Sequence, residues 1–226
     1  MCAHYLIFLD DSDLRDIVKA AERNLGSDTL NFKMGTRDIF PGYAAPVLMP
    51  ENGGLKPVYM RWGYPIRKKK KIQKDPKHPE YTTSYAQNAK LEEAVGNPFW
   101  MDSLKERRCL IPVSGFYEYK TLKSKEKVPY RFSLPGSSVM YMAGMYKFFK
   151  QDDGSYFQHY TMCTTAPTTE VAAVHDRMPV VLREAEHIIW LDGDYMSLVD
   201  RVGIYLQATE ISREEMFKGK GSDSSD

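Results

Sequence analysis

The sequence has few cysteines, almost no net charge and no long apolar run, and each shortage removes a class of protein. Three cysteines in 226 residues, with no Cys-x-x-Cys pair, cannot set up a disulfide framework and carry no tetrahedral zinc signature. Cys109 and Cys163 lie in apolar segments and read as buried thiols. A metal site from Cys2, His4 and His175 has no ligand-spacing pattern, so neither a metal nor another cofactor is expected. No stretch approaches the ~20 apolar residues that cross a bilayer, and the start lacks a basic segment followed by an apolar one. A soluble, cytoplasmic protein without a membrane partner is expected. No repeat or linker divides the chain. One domain over residues 1–217 is therefore expected, as a monomer, with the polar Gly/Ser-rich stretch 218–226 read as a disordered tail.

The formal net charge of +1 conceals an uneven distribution. Arg67 to Lys71 form an unbroken basic run inside IRKKKKIQKDPKHPEY, Arg107 and Arg108 form a second cluster, and acidic residues gather in DDSD near the start and in the SDSSD tail. Local positive potential is what binds phosphate, because neutralising phosphates releases counterions. A solvated loop is the alternative reading of the lysine run.

At 42% hydrophobic and 27% charged, the chain can fill one large core. HYLIFL, AAPVLM, LKPVYMRWGY, CLIPVSGFYEYK, FQHYTMCTT and IYLQATEI read as strands. VPYRFSL and VMYMAGMYKFF flank Pro135-Gly136 and are expected to pair as an antiparallel hairpin. Behind Ser12 as N-cap, Leu14, Ile17, Val18 and Ala21 fall on one face of a helix that Gly26 ends. Further helices are expected over LEEAV and FWMDSLKER, broken at Asn97-Pro98, and near TEVAAV, AEHIIWL and MSLVDRV. His175 to Pro179 reads as a turn. This is an α+β chain whose mostly antiparallel sheet curls into a barrel-like form with flanking helices.

Chemistry is offered first by Cys2. Removal of Met1 would leave a thiol and a free α-amine on one residue, a pair that condenses with an aldehyde to an imine and then closes to a thiazolidine. Ordinary values of ~7.7 for the amine and ~8.5 for the thiol leave a useful fraction of each nucleophilic near neutrality. An accidental cysteine packed as a small hydrophobe is the alternative. Period-two alternation is expected to put Cys2 and His4 on one face. Glu118, in the aromatic stretch GFYEY, is the general acid/base candidate if burial raises its pKa; an exposed edge-strand glutamate is the alternative. His175 is a second proton-transfer candidate. Asn88 can orient an amine or a sugar hydroxyl, or simply cap a helix. Trp62 can stack on a base, or be a core residue at a strand end. Met178-Pro179 can wedge against a nucleobase or anchor a turn.

Five segments give these residues a common context: RWGYP around Trp62, QNAKLEE around Asn88, RRCLIPVSGFYEY from Arg107 to Tyr119, AGMY at Ala143 and VHDRMPVVL around His175. With the Met1-Cys2 start they resemble, in order over nearly the whole chain, the SOS-response-associated peptidase (SRAP) domain. The resemblance implies recognition of abasic sites in single-stranded DNA and crosslinking through an N-terminal Cys2. It further implies that Glu118 assists Schiff-base formation, that His175 opens the sugar ring and reverses the crosslink, and that Arg177 contacts phosphate. Family members often carry arginine where this chain has Lys90, which keeps the charge but loses the bidentate fork. The family start often has Gly-Arg where this chain has Ala3-His4. A cysteine hydrolase using Cys2, His175 and Glu118, and a non-catalytic single-strand binder, are the two other classes that fit.

Overall fold

The computed structural model describes residues 2–25, 38–69, 81–151 and 153–217. Met1, Gly26, Lys70, Lys71 and the expected tail 218–226 lie outside the described residues.

The centre of the molecule is a closed ring of five strands. β3 (Ala44–Glu51) pairs antiparallel with β4 (Gly54–Trp62) and with β8 (Arg108–Val113). β8 pairs with β11 (Met140–Lys150), and β11 with β12 (Tyr156–Thr165). β12 then runs parallel to β4, with His159 opposite Arg61 and Tyr160 opposite Trp62, which closes the circle. Closure gives every strand an inside and an outside, and the sequence alternates accordingly. Val47, Met60, Cys109, Ile111, Met142, Tyr160 and Met162 share the inner core, whereas Leu48, Leu110, Ala143, Met145 and Cys163 pack outward. The outward set is covered by α2 (Leu91–Ala94), α3 (Pro98–Glu106) and α5 (His187–Leu191), which contribute Leu91, Ala94, Leu104 and Trp190. β8 is therefore buried on both faces, the reason its sequence reads as a continuous apolar run rather than an alternating one.

A second sheet lies over the barrel. Its order is β15 (Gln207–Glu210), β10 (Lys127–Ser133), β9 (Gly115–Thr121), β1 (Tyr5–Leu6) and β2 (Asp38–Ile39). Tyr5, Ile39, Phe116 and Phe132 turn inward and join the barrel core. Leu6 and Tyr117 face the other way and pack with Met216 of α6 (Arg213–Phe217). An α+β arrangement with a mostly antiparallel, barrel-like sheet and flanking helices is what the strand and helix pattern of the sequence predicts.

Several local expectations change. The run CLIPVSGFYEYK is two strands, split at Ser114, with β8 in the barrel and β9 in the second sheet. VPYRFSL and VMYMAGMYKFF do not pair with each other: β10 joins β9 and β15, while β11 joins β8 and β12. Pro135-Gly136, with Gly136 at φ 72°, passes the chain between sheets. The N-cap of α1 (Ser12–Arg23) is Asp11, whose carboxylate accepts from the Asp13 and Leu14 amides. Arg108 is buried rather than a phosphate contact. Its guanidinium donates to the Leu104 and Leu191 carbonyls at 2.8 and 3.1 Å, tying together the ends of α3 and α5. The segment MSLVDRV forms only a 3-10 turn over Tyr195–Leu198.

Gly144, opposite Cys109, shows how full the barrel is. A Cβ there would stand 2.9 Å from Ile111 Cδ1 and 3.0 Å from Cys109 Sγ. Gly144→Ala is expected to cost about 1–3 kcal/mol through overpacking, read as a lower Tm in thermal unfolding followed by circular dichroism.

Candidate active site

Four chain segments converge where the second sheet meets the barrel. Cys2 leads into β1 and is 1% exposed. Asn88 opens β7 (Asn88–Lys90), which is held parallel to β12 with Asn88 opposite Met162. Glu118 is on β9, and His175 lies in the turn between α4 (Thr169–Ala172) and β13 (Met178–Pro179). The Asn88 amide donates to the Cys2 carbonyl at 2.7 Å, so the start of the chain is clamped to the barrel. Asn88 does not cap a helix. Its Oδ1 is buried and has no hydrogen-bond partner among the described residues, leaving an acceptor beside Cys2.

Glu118 shares the inward face with Phe116, as alternation requires, but that face is closed: the residue is 4% exposed. Burial, with the nearby Asp176 charge adding to it, raises the carboxyl to about 7. Such a group exchanges protons readily at neutral pH. Burial also pushes the Cys2 thiol well above its ordinary range, and the Glu118 carboxylate raises it further. The freely ionising thiol expected from sequence is thus corrected: in this packing the sulfur is protonated at neutral pH, and it needs a base. Glu118 is the charged group that bears on it.

His175 Nε2 stands 3.8 Å from Glu118 Oε2, too long for a direct hydrogen bond. At the other ring nitrogen two neighbours compete. The Arg177 amide donates to Nδ1 at 3.1 Å, and the Asp176 carboxylate lies 3.0 Å away. Burial lowers the pKa of His175, more than Asp176 can restore, so the neutral ring prevails. Neutral imidazole accepting at Nδ1 carries its proton on Nε2, facing Glu118. The highly exposed Asp176 side chain is a screened neighbour rather than the partner that sets the tautomer.

The remaining sequence candidates sit differently from expectation. Trp62 is fully buried, donates to the Gln87 carbonyl at 2.8 Å, and lies against Tyr5 and Tyr160. Its ring has no face for a nucleobase; it is the core residue of the two readings. Met178 is fully buried in β13, its sulfur accepting from the Thr168 amide, and Pro179 pairs with Thr164. That pair anchors the strand and presents no exposed wedge. Arg177 is engaged by Glu92 through its two terminal guanidinium nitrogens and donates to the Thr164 carbonyl at 2.9 Å. Lys90 pairs with Glu93 at 2.7 Å on an exposed surface. Both cations already have acidic partners from QNAKLEE.

His4 and Cys2 do not share a face. The chain is not yet a strand before Tyr5; Cys2 packs into the core with Tyr5, while His4 stacks between Phe40 and Tyr117 and pairs with Asp38 at 2.7 Å. The Arg177–Glu92 pair and the His4–Asp38 pair were missed from sequence. The first had a signal, since its two partners lie in two of the recurring segments. A third, buried contact joins the Tyr5 and Tyr160 hydroxyls across the sheet–barrel boundary. No group of three or more metal-binding side chains occurs among the described residues, and no helix among them is long and apolar enough to cross a membrane.

Comparison with known families decides the relationship. The family model for SOS response associated peptidase (SRAP) matches residues 1–214. The chain belongs to the SRAP family. Among curated SRAP relatives, the abasic site processing protein YoqW of Bacillus subtilis is 35% identical over 114 residues, covering 48% of this chain and 51% of YoqW. The abasic site processing protein YMR114C of Saccharomyces cerevisiae is 27% identical over 218 residues, covering 86% of this chain and 56% of that protein. HMCES of Xenopus tropicalis, also named an abasic site processing protein, is 25% identical over 227 residues, covering 85% and 66%. The aligned part spans about half the length of the first of these relatives. In fold, a crystal structure from Bacteroides thetaiotaomicron superposes with a TM-score of 0.68 at 17% identity, covering 95% of this chain and 94% of that one. One from Bordetella bronchiseptica also gives 0.68, at 21% identity, covering 93% and 100%.

Two outcomes are expected from this geometry. Glu118 is protonated in the fold up to about pH 7, against an ordinary value of 4.5, so the folded state holds the extra proton between those limits. The proton's contribution is therefore present at low pH and lost as pH rises through 7. Wild type should lose stability relative to Glu118→Gln over that interval, measured by urea unfolding at several pH values; parallel pH profiles would contradict the raised carboxyl. Trp62→Ala should cost about 3–5 kcal/mol of stability in the same assay, as a core deletion does and a surface stacking platform does not.

Proposed function

We propose that this protein recognises abasic sites in single-stranded DNA and traps the ring-opened sugar as a thiazolidine on Cys2 after Met1 is removed, shielding the lesion from strand cleavage. The observation that carries the reading is the convergence on Cys2 of the Asn88 amide, a carboxyl poised near neutrality and a neutral histidine. The names of the SRAP relatives point the same way.

The chemistry balances without a cofactor. The α-amine of Cys2 adds to the aldehyde carbon, giving a carbinolamine. Loss of water leaves an imine. The thiol sulfur then bonds to the imine carbon while its proton passes to the nitrogen, so aldehyde plus aminothiol yields thiazolidine plus one water. Glu118 is suited to take a proton from the ammonium or the thiol and return it to the departing hydroxyl. As the sugar ring opens, the anomeric hydroxyl loses a proton and the ring oxygen gains one; His175, neutral at rest with Nε2–H toward the site, would deliver the ring-oxygen proton from its protonated form and recover it in reversal, while the Glu118 carboxylate takes the proton of the anomeric hydroxyl. Asn88 Oδ1 would orient the amine or a sugar hydroxyl. Peptidase activity in this reading is removal of Met1, the step that creates the reagent.

A cysteine hydrolase is the less favoured use of the same residues. A hydrolytic nucleophile needs an accessible thiolate, whereas the Cys2 thiol is buried and held protonated. Intact mass spectrometry before and after incubation with a single-stranded oligonucleotide bearing one abasic site tests both readings. Loss of the Met1 mass and a stable adduct that Cys2→Ala abolishes are expected, with salt-sensitive DNA binding retained. A processed protein that forms no adduct but cleaves an amide substrate without DNA would reverse the order of the two.

A further inference from the structure

The basic run emerges from the barrel as a defined element. β5 (Tyr64–Lys69) and β6 (Tyr81–Ala86) form a two-stranded antiparallel ribbon that joins neither of the larger sheets. Its base is fixed. Tyr64 is fully buried against Phe99, Trp100 and Phe149, and Tyr85 packs over Gly63, where a Cβ would stand 2.6 Å from Tyr85 Cβ. The outer half is solvated: Arg67, Lys68 and Lys69, and opposite them Thr83, Thr82 and Tyr81, are all exposed. A ribbon exposed on both faces has no apolar reason to project, so its side chains are the reason to examine.

Those side chains carry one sign of charge. The described ribbon contains no acidic residue, and no acid among the described residues pairs with Arg67, Lys68 or Lys69. Their treatment differs from that of Lys90 and Arg177, each neutralised by a glutamate. Arg67 lies over the Tyr81 ring at 4.3 Å, which stiffens the outer ribbon while keeping its charge at the surface. The ribbon also leads directly into the site. Ala86 ends β6, and two residues later Asn88 holds Cys2. At ~3.3 Å per strand residue, the step from Asn88 back to Thr83, opposite Arg67, spans roughly 16 Å, and to Tyr81, opposite Lys69, roughly 23 Å.

We propose that this ribbon is a duplex-DNA contact that lies in the major groove beside the lesion strand. The inference rests on the abasic-site reading for its place in function, and not for its binding chemistry. A major groove of ~12 Å admits a two-stranded β-ribbon, and Arg67, Lys68 and Lys69 supply cations to the phosphates that flank it. At ~3.4 Å per base pair, the reach of roughly 16–23 Å places these contacts about five to seven pairs from the trapped sugar.

Fluorescence anisotropy with undamaged DNA tests this without any crosslinking. Arg67→Ala/Lys68→Ala/Lys69→Ala should weaken binding to a short duplex by roughly tenfold or more, and should lower the slope of log K against log salt by ~0.9 for each contact removed. Thr83→Glu, which places a negative charge opposite Arg67 and deletes no cation, should weaken duplex binding in the same direction. An equal loss on a single strand of the same length would overturn the assignment to duplex, and unchanged duplex affinity in both variants would overturn the ribbon as a DNA contact. Failure of Cys2 to form adducts in the mass measurement would instead remove the abasic-site reading and leave the duplex result standing.

Discussion

The parallel pairing of β12 with β4 turns an open antiparallel sheet into a ring, and the positions of the functional groups follow from it. With β12 held between β4 and β11, its continuation has an edge to which β7 adds in parallel, and this puts Asn88 opposite Met162. The far end of the same strand receives β13, which places His175 just before Met178. Only Glu118 and Cys2 come from the second sheet, and the Asn88 bond to the Cys2 carbonyl joins the two bodies at that point. The buried Tyr5–Tyr160 contact ties them again one layer deeper.

Desolvation does most of the electrostatic work at the site. It raises Cys2 and Glu118 and lowers His175, so all three are biased toward their neutral forms. A site of neutral groups is poorly matched to an anion in its ground state, and well matched to an aldehyde and to the proton transfers that an amine requires. The cationic side chains stand outside this zone. Arg177 is engaged by Glu92 and Thr164 at the rim, and the cations of the β5–β6 ribbon, which have no acidic partner among the described residues, stand farther out.

Local physics was legible in the sequence and long-range pairing was not. α1 could be read from Leu14, Ile17, Val18 and Ala21 because helix periodicity needs only neighbours, although the capping oxygen belongs to Asp11 rather than Ser12. Pro135-Gly136 looked like a hairpin because a turn signal says nothing about which sheet each flank enters. The run through Ser114 looked like one strand because both halves are apolar, for two separate reasons: β8 is covered on both faces, and β9 is covered by the barrel and by α6. At the site, Cys2, Asn88, Glu118 and His175 were found from sequence, and their meeting in space is a property of the barrel and the second sheet together. For Trp62 and Met178 the sequence left two readings open, because aromatic and apolar residues beside glycine and proline suit either a ligand face or a tightly packed turn. The full barrel interior decided for packing. The raised thiol of Cys2 was invisible for the same reason, since burial is not written in a residue's neighbours along the chain.

Gly63 and Gln87 bracket the β5–β6 ribbon with bonds that do not involve it. The Gly63 amide donates to the Tyr160 carbonyl at 2.7 Å, the Gly63 carbonyl meets His159 Nδ1 at 2.8 Å, and the Gln87 carbonyl accepts from both Met162 and Trp62. Both ends are thus soldered to β12 or its neighbours before the chain departs and after it returns. Lengthening a connection whose ends are already fixed adds only a slowly growing closure entropy. The ribbon is consequently seated in a socket: what projects there can be lengthened, shortened or exchanged while the bonds at Gly63 and Gln87 keep both ends tied to the barrel.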